Sequence, residues 1–243
     1  LCGNISSVSQ NITIQDVTPP VAPAPPADVT EECSGDVPPM ISLTANDNCD
    51  GNITVSGVDV QTNNPCGFSI VRTWTFTDLC GNVGSVSQDI TIQDVTPPVA
   101  PAPPADVIEQ CSGDVPPMIS LTANDNCDGN ITVSGVDVQT NNPCGFSIVR
   151  TWTFTDACGN VSSVSQHITI QDVTPPVAPA PPADVTEECS GNVPPMISLT
   201  AVDNCDGNIT VSGVDVQTNN PCGFSIVRTW TFTDACGNVS SVS

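Results

Sequence analysis

Acidic side chains gather in one turn of the chain, and this turn occurs three times. Asp47 and Asp50 lie in Asn-Asp-Asn-Cys-Asp-Gly-Asn, and Asp78 ends a later hydrophobic segment. Hard oxygen ligands in flexible loops suit Ca²⁺, which takes about 6–8 of them. The predicted calcium ligands are Asp47, Asp50 and Asp78, then Asp125, Asp128 and Asp156, then Asp203, Asp206 and Asp234, with Asp16 or Asp94 as a further ligand from the adjoining proline-rich stretch. The alternative, in which these residues only form Asx turns, stays open.

The 13 cysteines indicate an oxidising, extracytoplasmic setting, and hence a secreted or cell-surface protein. Zinc is a weaker interpretation, because no Cys-x-x-Cys pair occurs and His167 is the only histidine. If successive strands alternate in direction, the first and third cysteines of a repeat share one end, and the second and fourth share the other. This predicts the disulfides Cys33–Cys66, Cys49–Cys80, Cys111–Cys144, Cys127–Cys158, Cys189–Cys222 and Cys205–Cys236, with Cys2 paired to a preceding repeat.

The net charge of -23 restricts the partners of the chain. A surface this acidic repels nucleic acids, whose phosphates need Lys and Arg, and it equally disfavours anionic membranes. No apolar run is long enough to cross a bilayer, so membrane insertion is not expected. Arg72, Arg150 and Arg228 are the only basic residues besides His167. Each is predicted to form a structural ion pair, in the first repeat with Glu31 or a nearby Asp.

Enzymatic machinery is missing from the sequence. His167 has Asn11 and Asp89 as its counterparts, so it is not a repeated general base. Carboxylates alone could serve a glycosidase, but that reaction needs a cleft that small sandwiches rarely provide. The chain is therefore not expected to be an enzyme.

Glycans are a separate expectation, carried by short Asn-x-Ser/Thr motifs. Such motifs mark acceptors for N-glycosylation on the surface of secreted proteins. The candidate acceptors are Asn4, Asn11, Asn52, Asn130, Asn160, Asn208 and Asn238.

The whole chain follows a period of 78 residues, which is the spacing between successive members of the series Cys2, Cys80, Cys158 and Cys236. Residues 1–15 correspond to the closing strand of a preceding repeat, residues 16–93 and 94–171 to full repeats, and residues 172–243 to a repeat lacking its closing strand. Each repeat begins with the same proline-rich stretch, Asp16–Val29 in the first, which predicts a short, stiff coupling. Such a chain is typical of an excerpt from a longer array.

Alternating apolar residues predict strands over residues 27–33, 40–45, 53–60, 68–78 and 86–92, with a bulge at Gly57. Short strands, frequent turns and no helical period indicate an all-β fold of tandem Ig-like β-sandwiches. Trp74, Trp152 and Trp230 are expected at the centres of three small cores. Sandwiches joined by stiff couplings predict an extended rod.

Four motifs resemble one known family. They are Asp-Val-Thr-Pro-Pro-Val, Pro-Ala-Asp-Val, Leu-Thr-Ala-Asn-Asp-Asn-Cys-Asp-Gly-Asn and Arg-Thr-Trp-Thr-Phe-Thr-Asp-Ala-Cys-Gly-Asn. Repeat by repeat, the chain resembles the hyalin-repeat (HYR-like) immunoglobulin-like module, in the cysteine-containing form found in large secreted surface proteins of Bacteroidetes-type bacteria. The resemblance implies an Ig-like sandwich and an extracellular adhesive or structural role, and it carries no catalytic residues.

The predicted function is the structural repeat region of an extracellular fibre or adhesin stalk, stiffened by disulfides within each repeat. A multivalent array that binds glycans or a protein receptor is the alternative. The loops barely differ between copies, which favours the structural interpretation. The expected partners are further copies of the repeat, joined in one unbroken chain or by donor-strand exchange between subunits, in which Cys2 and Cys236 would compete for Cys205.

Overall fold

A computed structural model describes residues 2–243 as an all-β chain. The chain divides into two compact units. One contains the residues up to Pro98 together with Asn124–Ile131 and Thr155–Val161, and the other contains Val99–Ala123, Thr132–Phe154 and Ser162–Ser243. Within the described residues no helix is long and apolar enough to cross a membrane.

The first repeat forms two sheets. Its strands are β1 (Val29–Glu31), β2 (Ser42–Asp47), β3 (Gly51–Ser56), β4 (Val58–Asn64), β5 (Gly67–Thr77) and β6 (Val83–Gln93), with a 3-10 turn at Ser34–Asp36. One sheet has the order β1-β6-β5-β4, in which β1 runs parallel to β6 and the other pairs are antiparallel. The other sheet is the antiparallel pair β2–β3. The predicted all-β fold is confirmed.

The other two repeats reuse this plan. The second has β7 (Val107–Glu109), a 3-10 turn (Ser112–Asp114), β8 (Ser120–Asp125), β9 (Gly129–Ser134), β10 (Val136–Asn142), β11 (Gly145–Thr155) and β12 (Val161–Gln171). The third has a 3-10 turn (Ser190–Asn192), β13 (Ser198–Asp203), β14 (Gly207–Ser212), β15 (Val214–Asn220), β16 (Gly223–Thr233) and β17 (Val239–Val242). The third repeat thus begins its closing strand, but β17 is only 4 residues long against 11 in β6.

Trp74 joins the two sheets of the first repeat. It is fully buried with Phe76 and Ala45, and Leu43, Ile53 and Val55 pack around them. Its indole N–H donates to the backbone oxygen of Ile41 at 2.9 Å, so the one polar atom of the ring is also satisfied. Trp152 and Trp230 lie in the same position and are 0% and 3% exposed, as the sequence predicted for three small cores.

Gly57 separates two strands rather than forming a bulge in one. β3 ends at Ser56 and pairs with β2, whereas β4 begins at Val58 and pairs with β5, so the chain changes sheets at this glycine. A Cβ at Gly57 would lie 2.9 Å from Met40 Sδ and 3.0 Å from both Arg72 Cγ and Trp74 Cε2. The predicted single strand over 53–60 is therefore wrong, and close packing at the crossing explains why glycine is needed.

A second apolar cluster depends on the closing strand. Ile90 and Ile92 of β6 are 0% and 2% exposed and pack with Ile70, next to Val29 and Phe68. In the third repeat Val185, the counterpart of Val29, is 60% exposed and outside any strand. At the other end of the chain, residues 2–20 adopt no regular secondary structure.

Candidate functional site

Four disulfides connect neighbouring repeats, two at each junction. Cys33 bonds to Cys127 and Cys66 to Cys158, all within the first compact unit. In the second unit Cys111 bonds to Cys205 and Cys144 to Cys236. Their Cα–Cα distances of 4.7 to 5.1 Å are ordinary for disulfides. Each junction between repeats is therefore crossed by two disulfides as well as by the backbone.

The predicted pairing within repeats is wrong. None of the pairs Cys33–Cys66, Cys49–Cys80, Cys111–Cys144, Cys127–Cys158, Cys189–Cys222 and Cys205–Cys236 forms. Strand direction groups the cysteines by the end of the repeat, but it cannot say whether a partner lies in the same repeat. The turns that carry Cys127 and Cys158 belong to the same compact unit as Cys33 and Cys66.

Hydrogen bonds surround the first pair of disulfides. Glu32, next to Cys33, accepts from the Thr96 hydroxyl at 2.7 and 2.8 Å and from the Asn126 side-chain amide at 2.7 Å. In the second unit Gln110 replaces Glu32, and it accepts from Thr174 and from Asn204. Sequence reasoning missed these residues. Their regular position beside a cysteine or in the Thr-Pro-Pro motif was the available signal.

Pairs of buried carboxylates lie beside the same disulfides. Asp94 and Asp125 are 6% and 3% exposed, and Asp94, Asp125 and Cys127 each bring a potential ligand atom to within 4.8 Å of the others. Each Asp uses Oδ1 to accept backbone N–H groups, from Thr96 in the case of Asp94 and from Cys127 in the case of Asp125. The Oδ2 atoms of both are buried without a hydrogen-bond partner. The pairs Asp16–Asp47 and Asp172–Asp203 repeat this arrangement.

Burial raises the pKa of Asp94, and the nearby negative charges of Asp125, Asp156 and Glu32 raise it further. The N–H of Thr96 opposes this shift, but it does not cancel it. A carboxylate in such surroundings is stabilised by a proton or by a cation. The disulfide removes Cys127 as a thiolate ligand, so the available donors are carboxylate oxygens, which suit Ca²⁺ better than soft metals.

The other predicted calcium ligands are engaged elsewhere. Asp128 accepts the N–H of Ala157 at 2.6 Å through Oδ2, and Asp50 and Asp206 do the same in their repeats. Burial alone would raise the pKa of Asp156, but hydrogen bonds from the side chain and backbone of Asn160 outweigh this and lower it. The same holds for Asp78 with Asn82 and for Asp234 with Asn238. Of each predicted triplet, the structure therefore places only Asp47, Asp125 or Asp203 in the cluster.

Each arginine forms one ion pair with an aspartate on the neighbouring strand. Arg72 donates to both carboxylate oxygens of Asp59 at 2.8 and 3.0 Å and to the backbone oxygens of Pro38 and Pro39. The predicted pair with a nearby Asp is confirmed, and the partner is not Glu31. The signal was the strand register, because Asp59 lies directly opposite Arg72.

The predicted glycan acceptors fall into two groups. Asn4, Asn11, Asn52, Asn130 and Asn208 are exposed. The side-chain amide of Asn160 instead donates to Asp156 at 2.8 Å and to the backbone oxygen of Asp94 at 3.3 Å, and Asn238 is held in the same way. A glycan on either amide would cost one of these bonds, so these two positions are poor acceptors.

Comparisons with known proteins identify the family of this chain. The family model for the HYR-like domain with 4 cysteines matches residues 22–92, 98–170 and 176–243. The chain is 30% identical over 260 residues to hyalin from Lytechinus variegatus and 31% identical over 266 residues to hyalin from Strongylocentrotus purpuratus. These matches cover 96% and 98% of the chain, but only 47% and 22% of the relatives. Both relatives are sea-urchin proteins rather than bacterial surface proteins. The chain belongs to the HYR-like domain family with four cysteines.

Proposed function

We propose that this chain is a structural segment of an extracellular fibre or adhesive stalk in which successive repeats are locked together covalently. The observation that carries the proposal is the set of four disulfides between neighbouring repeats. Disulfides persist outside the reducing cytosol, and family membership supports an extracellular structural or adhesive role. A bacterial cell-surface setting is supported by the motif resemblance alone.

Two disulfides at each junction resist bending, because they attach neighbouring repeats at two points in addition to the backbone connection. The hydrogen bonds of Glu32 with Thr96 and Asn126 restrict the same region. Stiffness suits a stalk or matrix element, whose task is to hold a distance or carry tension. The predicted stiffening within repeats is thus replaced by stiffening between them.

The first test is the disulfide map of the native protein. Pepsin at low pH suppresses thiol exchange, and mass spectrometry then identifies linked peptides. Cys111 is recognised by Ile108 and Gln110, and Cys205 by Val202, since these residues occur only in those copies. We expect one linked peptide that contains Ile-Glu-Gln-Cys and Ala-Val-Asp-Asn-Cys. A link from Cys111 to Asn-Pro-Cys-Gly would contradict the proposal.

We also propose that Ca²⁺ binds at the three carboxylate pairs Asp16–Asp47, Asp94–Asp125 and Asp172–Asp203. The support is the buried, unpartnered Oδ2 atom on each of these side chains. Beside Asp94–Asp125 and Asp172–Asp203 the neighbouring cysteine is in a disulfide, so only hard donors are available at these two sites. A positive partner would favour the charged form of Asp94, whose pKa burial and nearby carboxylates raise. A cation held there would fasten the start of the second repeat to the turn beside its disulfide.

The variant Asp94→Asn separates metal binding from folding. Asn keeps Oδ1 as the acceptor for Thr96 and places an amide where Oδ2 was, so calcium loses a ligand while the buried charge disappears. In chelator we expect a higher melting temperature than wild type. Calcium at about 100 times its Kd should stabilise wild type by about 2.7 kcal/mol per site, and the variant by one site less.

The control and the pH dependence sharpen this test. Asp114→Asn makes the same charge change at an exposed position where the third repeat already carries Asn192, and it should leave calcium binding unchanged.

The pH dependence gives a second readout. Because the folded pKa of Asp94 lies above its unfolded value, the loss of folding stability caused by its charge is absent at low pH. Without calcium, this destabilisation should appear as the pH rises from the pKa of Asp94 in the unfolded chain through its pKa in the folded protein. Absence of binding heat, with equal melting in calcium and chelator, would refute the calcium site.

A further inference from the structure

The two disulfide junctions differ in charge at one position. Glu32 precedes Cys33 at the first junction, which lies in the first compact unit, and Gln110 precedes Cys111 at the second junction, which lies in the other unit. The aspartates around these positions are the same in both: Asp94, Asp125 and Asp156 at the first junction, and Asp172, Asp203 and Asp234 at the second. The chain therefore contains two closely matched carboxylate sites, one with an additional acidic neighbour and one without it.

Hydrogen bonds hold Glu32 beside the carboxylate pair of the first junction. The Thr96 hydroxyl donates to both carboxylate oxygens of Glu32, at 2.7 and 2.8 Å, and the Thr96 backbone N–H donates to Asp94 Oδ1 at 3.1 Å. The Asn126 side-chain amide donates to Glu32 at 2.7 Å, and Asn126 directly follows Asp125 in the chain. Glu32 is thus connected to each member of the pair through a single intervening residue.

Gln110 takes the same place at the second junction without a charge. The Thr174 hydroxyl donates to Gln110 Oε1, and the Thr174 backbone N–H donates to Asp172 Oδ1 at 3.0 Å. The Asn204 side-chain amide donates to Gln110 at 3.4 Å, and Asn204 directly follows Asp203. The amide oxygen of glutamine accepts hydrogen bonds as a carboxylate does, so both junctions have the same connections. Only the negative charge is missing from the second.

The charge of Glu32 acts on the carboxylate pair. Burial raises the pKa of Asp94, and nearby negative charges, including that of Glu32, raise it further. Asp94 and Asp125 each have a buried Oδ2 atom without a hydrogen-bond partner, and the corresponding atoms at the second junction are in the same state. Both junctions therefore offer unpartnered carboxylate oxygens to a cation, but only the first adds another full negative charge beside them.

We propose that Glu32 and Gln110 set the calcium affinities of their junctions, so that the first junction binds Ca²⁺ about tenfold more tightly than the second. This inference rests on the proposed calcium sites and adds that they differ in strength. Glu32 already accepts three hydrogen bonds, and it acts through its charge rather than as a ligand. As calcium rises, the first junction is then occupied before the second, and the two are stabilised in separate steps.

Hydrogen exchange of the oxidised 243-residue chain at graded calcium concentrations can report on each junction separately. Peptides that span residues 89–96 and 167–174 are distinguishable by mass, because the first begins with Asp and the second with His. They contain the backbone N–H groups of Thr96 and Thr174, which donate to the carboxylate pairs. We expect calcium to protect both peptides, with the midpoint for residues 89–96 at about one tenth of the calcium concentration needed for residues 167–174.

Reciprocal variants isolate the charge, because each installs the residue that the other junction carries. Glu32→Gln should raise the calcium midpoint for residues 89–96 about tenfold, and Gln110→Glu should lower the midpoint for residues 167–174 by a similar factor. The double exchange should reverse the order of the two steps. In chelator both variants should match wild type, since the hydrogen-bond acceptors are kept. As a control, Glu31→Gln removes the same charge one residue away from the hydrogen-bonded position, and it should shift either midpoint less than about twofold.

The possible failures of this inference and of the proposed calcium sites are distinguishable. Equal midpoints for the two peptides in wild type, or midpoints that the reciprocal variants leave unchanged, would overturn the role of Glu32 and Gln110 while calcium binding itself stands. If calcium protects neither peptide, the proposed calcium sites are refuted and this inference falls with them. The disulfide map decides the covalent connection of the repeats separately, because it does not depend on calcium.

Discussion

Stretched between its ends under high force, the oxidised chain should extend to only about 200 Å, against about 800 Å after reduction. The limit follows from the shortest covalent path. This path runs from the amino terminus to Cys33, crosses to Cys127, continues to Cys144 and crosses to Cys236. It contains about 56 residue steps of roughly 3.4 Å each. Every other residue is shielded from tension even when the repeats unfold.

Force spectroscopy distinguishes this arrangement from the alternatives. Disulfides within repeats would leave about 143 residue steps in the path and allow about 500 Å. The measurement should use a chain whose five unpaired cysteines are replaced by Ser, pulled through terminal tags. A limit near 500 Å in oxidising buffer would refute the bonds between repeats.

A partial variant gives the matched control. Cys33→Ser with Cys127→Ser leaves Cys66–Cys158 as the first crossing, and the path lengthens to about 86 steps, or about 300 Å. The stepwise increase depends only on which cysteines are bonded, not on how stable each repeat is. We expect the disulfide-bonded chain to keep most of its contour length out of the force-bearing path even when its repeats unfold. That behaviour suits an adhesive stalk under load.

Local patterns predicted the strands because each pattern is fixed by the core it faces. Trp74 and Phe76 alternate with threonines along β5, and burial of the two aromatics fixes the strand. The change of sheet at Gly57 escaped prediction because the residues that crowd this glycine, among them Met40 and Arg72, are distant from it in the sequence. An apolar pattern cannot tell a bulge from a crossing when both shift the phase by one residue.

Disulfides were predictable from the sequence, but the partners of the cysteines were not. The number of cysteines indicates disulfides, whereas the calcium site predicted from the acidic turns stays a prediction. The bond from Cys33 to Cys127 and the approach of Asp94 to Asp125 depend on how one repeat follows another, which no single repeat encodes. Near-identical repeats make the disulfide pairing harder to predict, because every cysteine has equivalent partners in its own copy and in the next.

Removing Asp137 should cost more stability than any other single loss of charge in the second repeat. Arg150 is 3% exposed and donates to Asp137 at 2.7 and 2.9 Å and to Pro116 and Pro117 oxygens at 3.0 and 3.2 Å. Asp137→Ala leaves the guanidinium buried beside neutral groups only. Loss of one partner of a fully buried pair costs about 3–5 kcal/mol, and the partial exposure of Asp137 places this loss at the lower end of that range. Arg150→Met should cost less, because the Asp137 side chain is 31% exposed and can be hydrated.

Hydrogen exchange detected by mass spectrometry can measure the loss of stability in the second repeat alone. The substitution changes the mass of its own peptide, which separates it from the identical strands elsewhere. Relative to Asp137→Glu, which also marks the peptide but keeps the charge, Asp137→Ala should accelerate exchange in β10 and β11 by more than about 100-fold. Asp215→Ala should have a smaller effect, since the Arg228 side chain is already 18% exposed.

The pH dependence of this ion pair gives a second readout with a defined sign. The hydrogen bonds from Arg150 hold the pKa of Asp137 below its usual range. Stability from a lowered carboxyl pKa is complete above the unfolded value, about 3.9, and is lost as pH falls through the folded one. The difference in the free energy of unfolding between Asp137→Ala and Asp137→Glu should therefore be constant near neutral pH and disappear below about pH 4. A gap that persists under strongly acidic conditions would mean that packing around the side chain, rather than its charge, accounts for the loss.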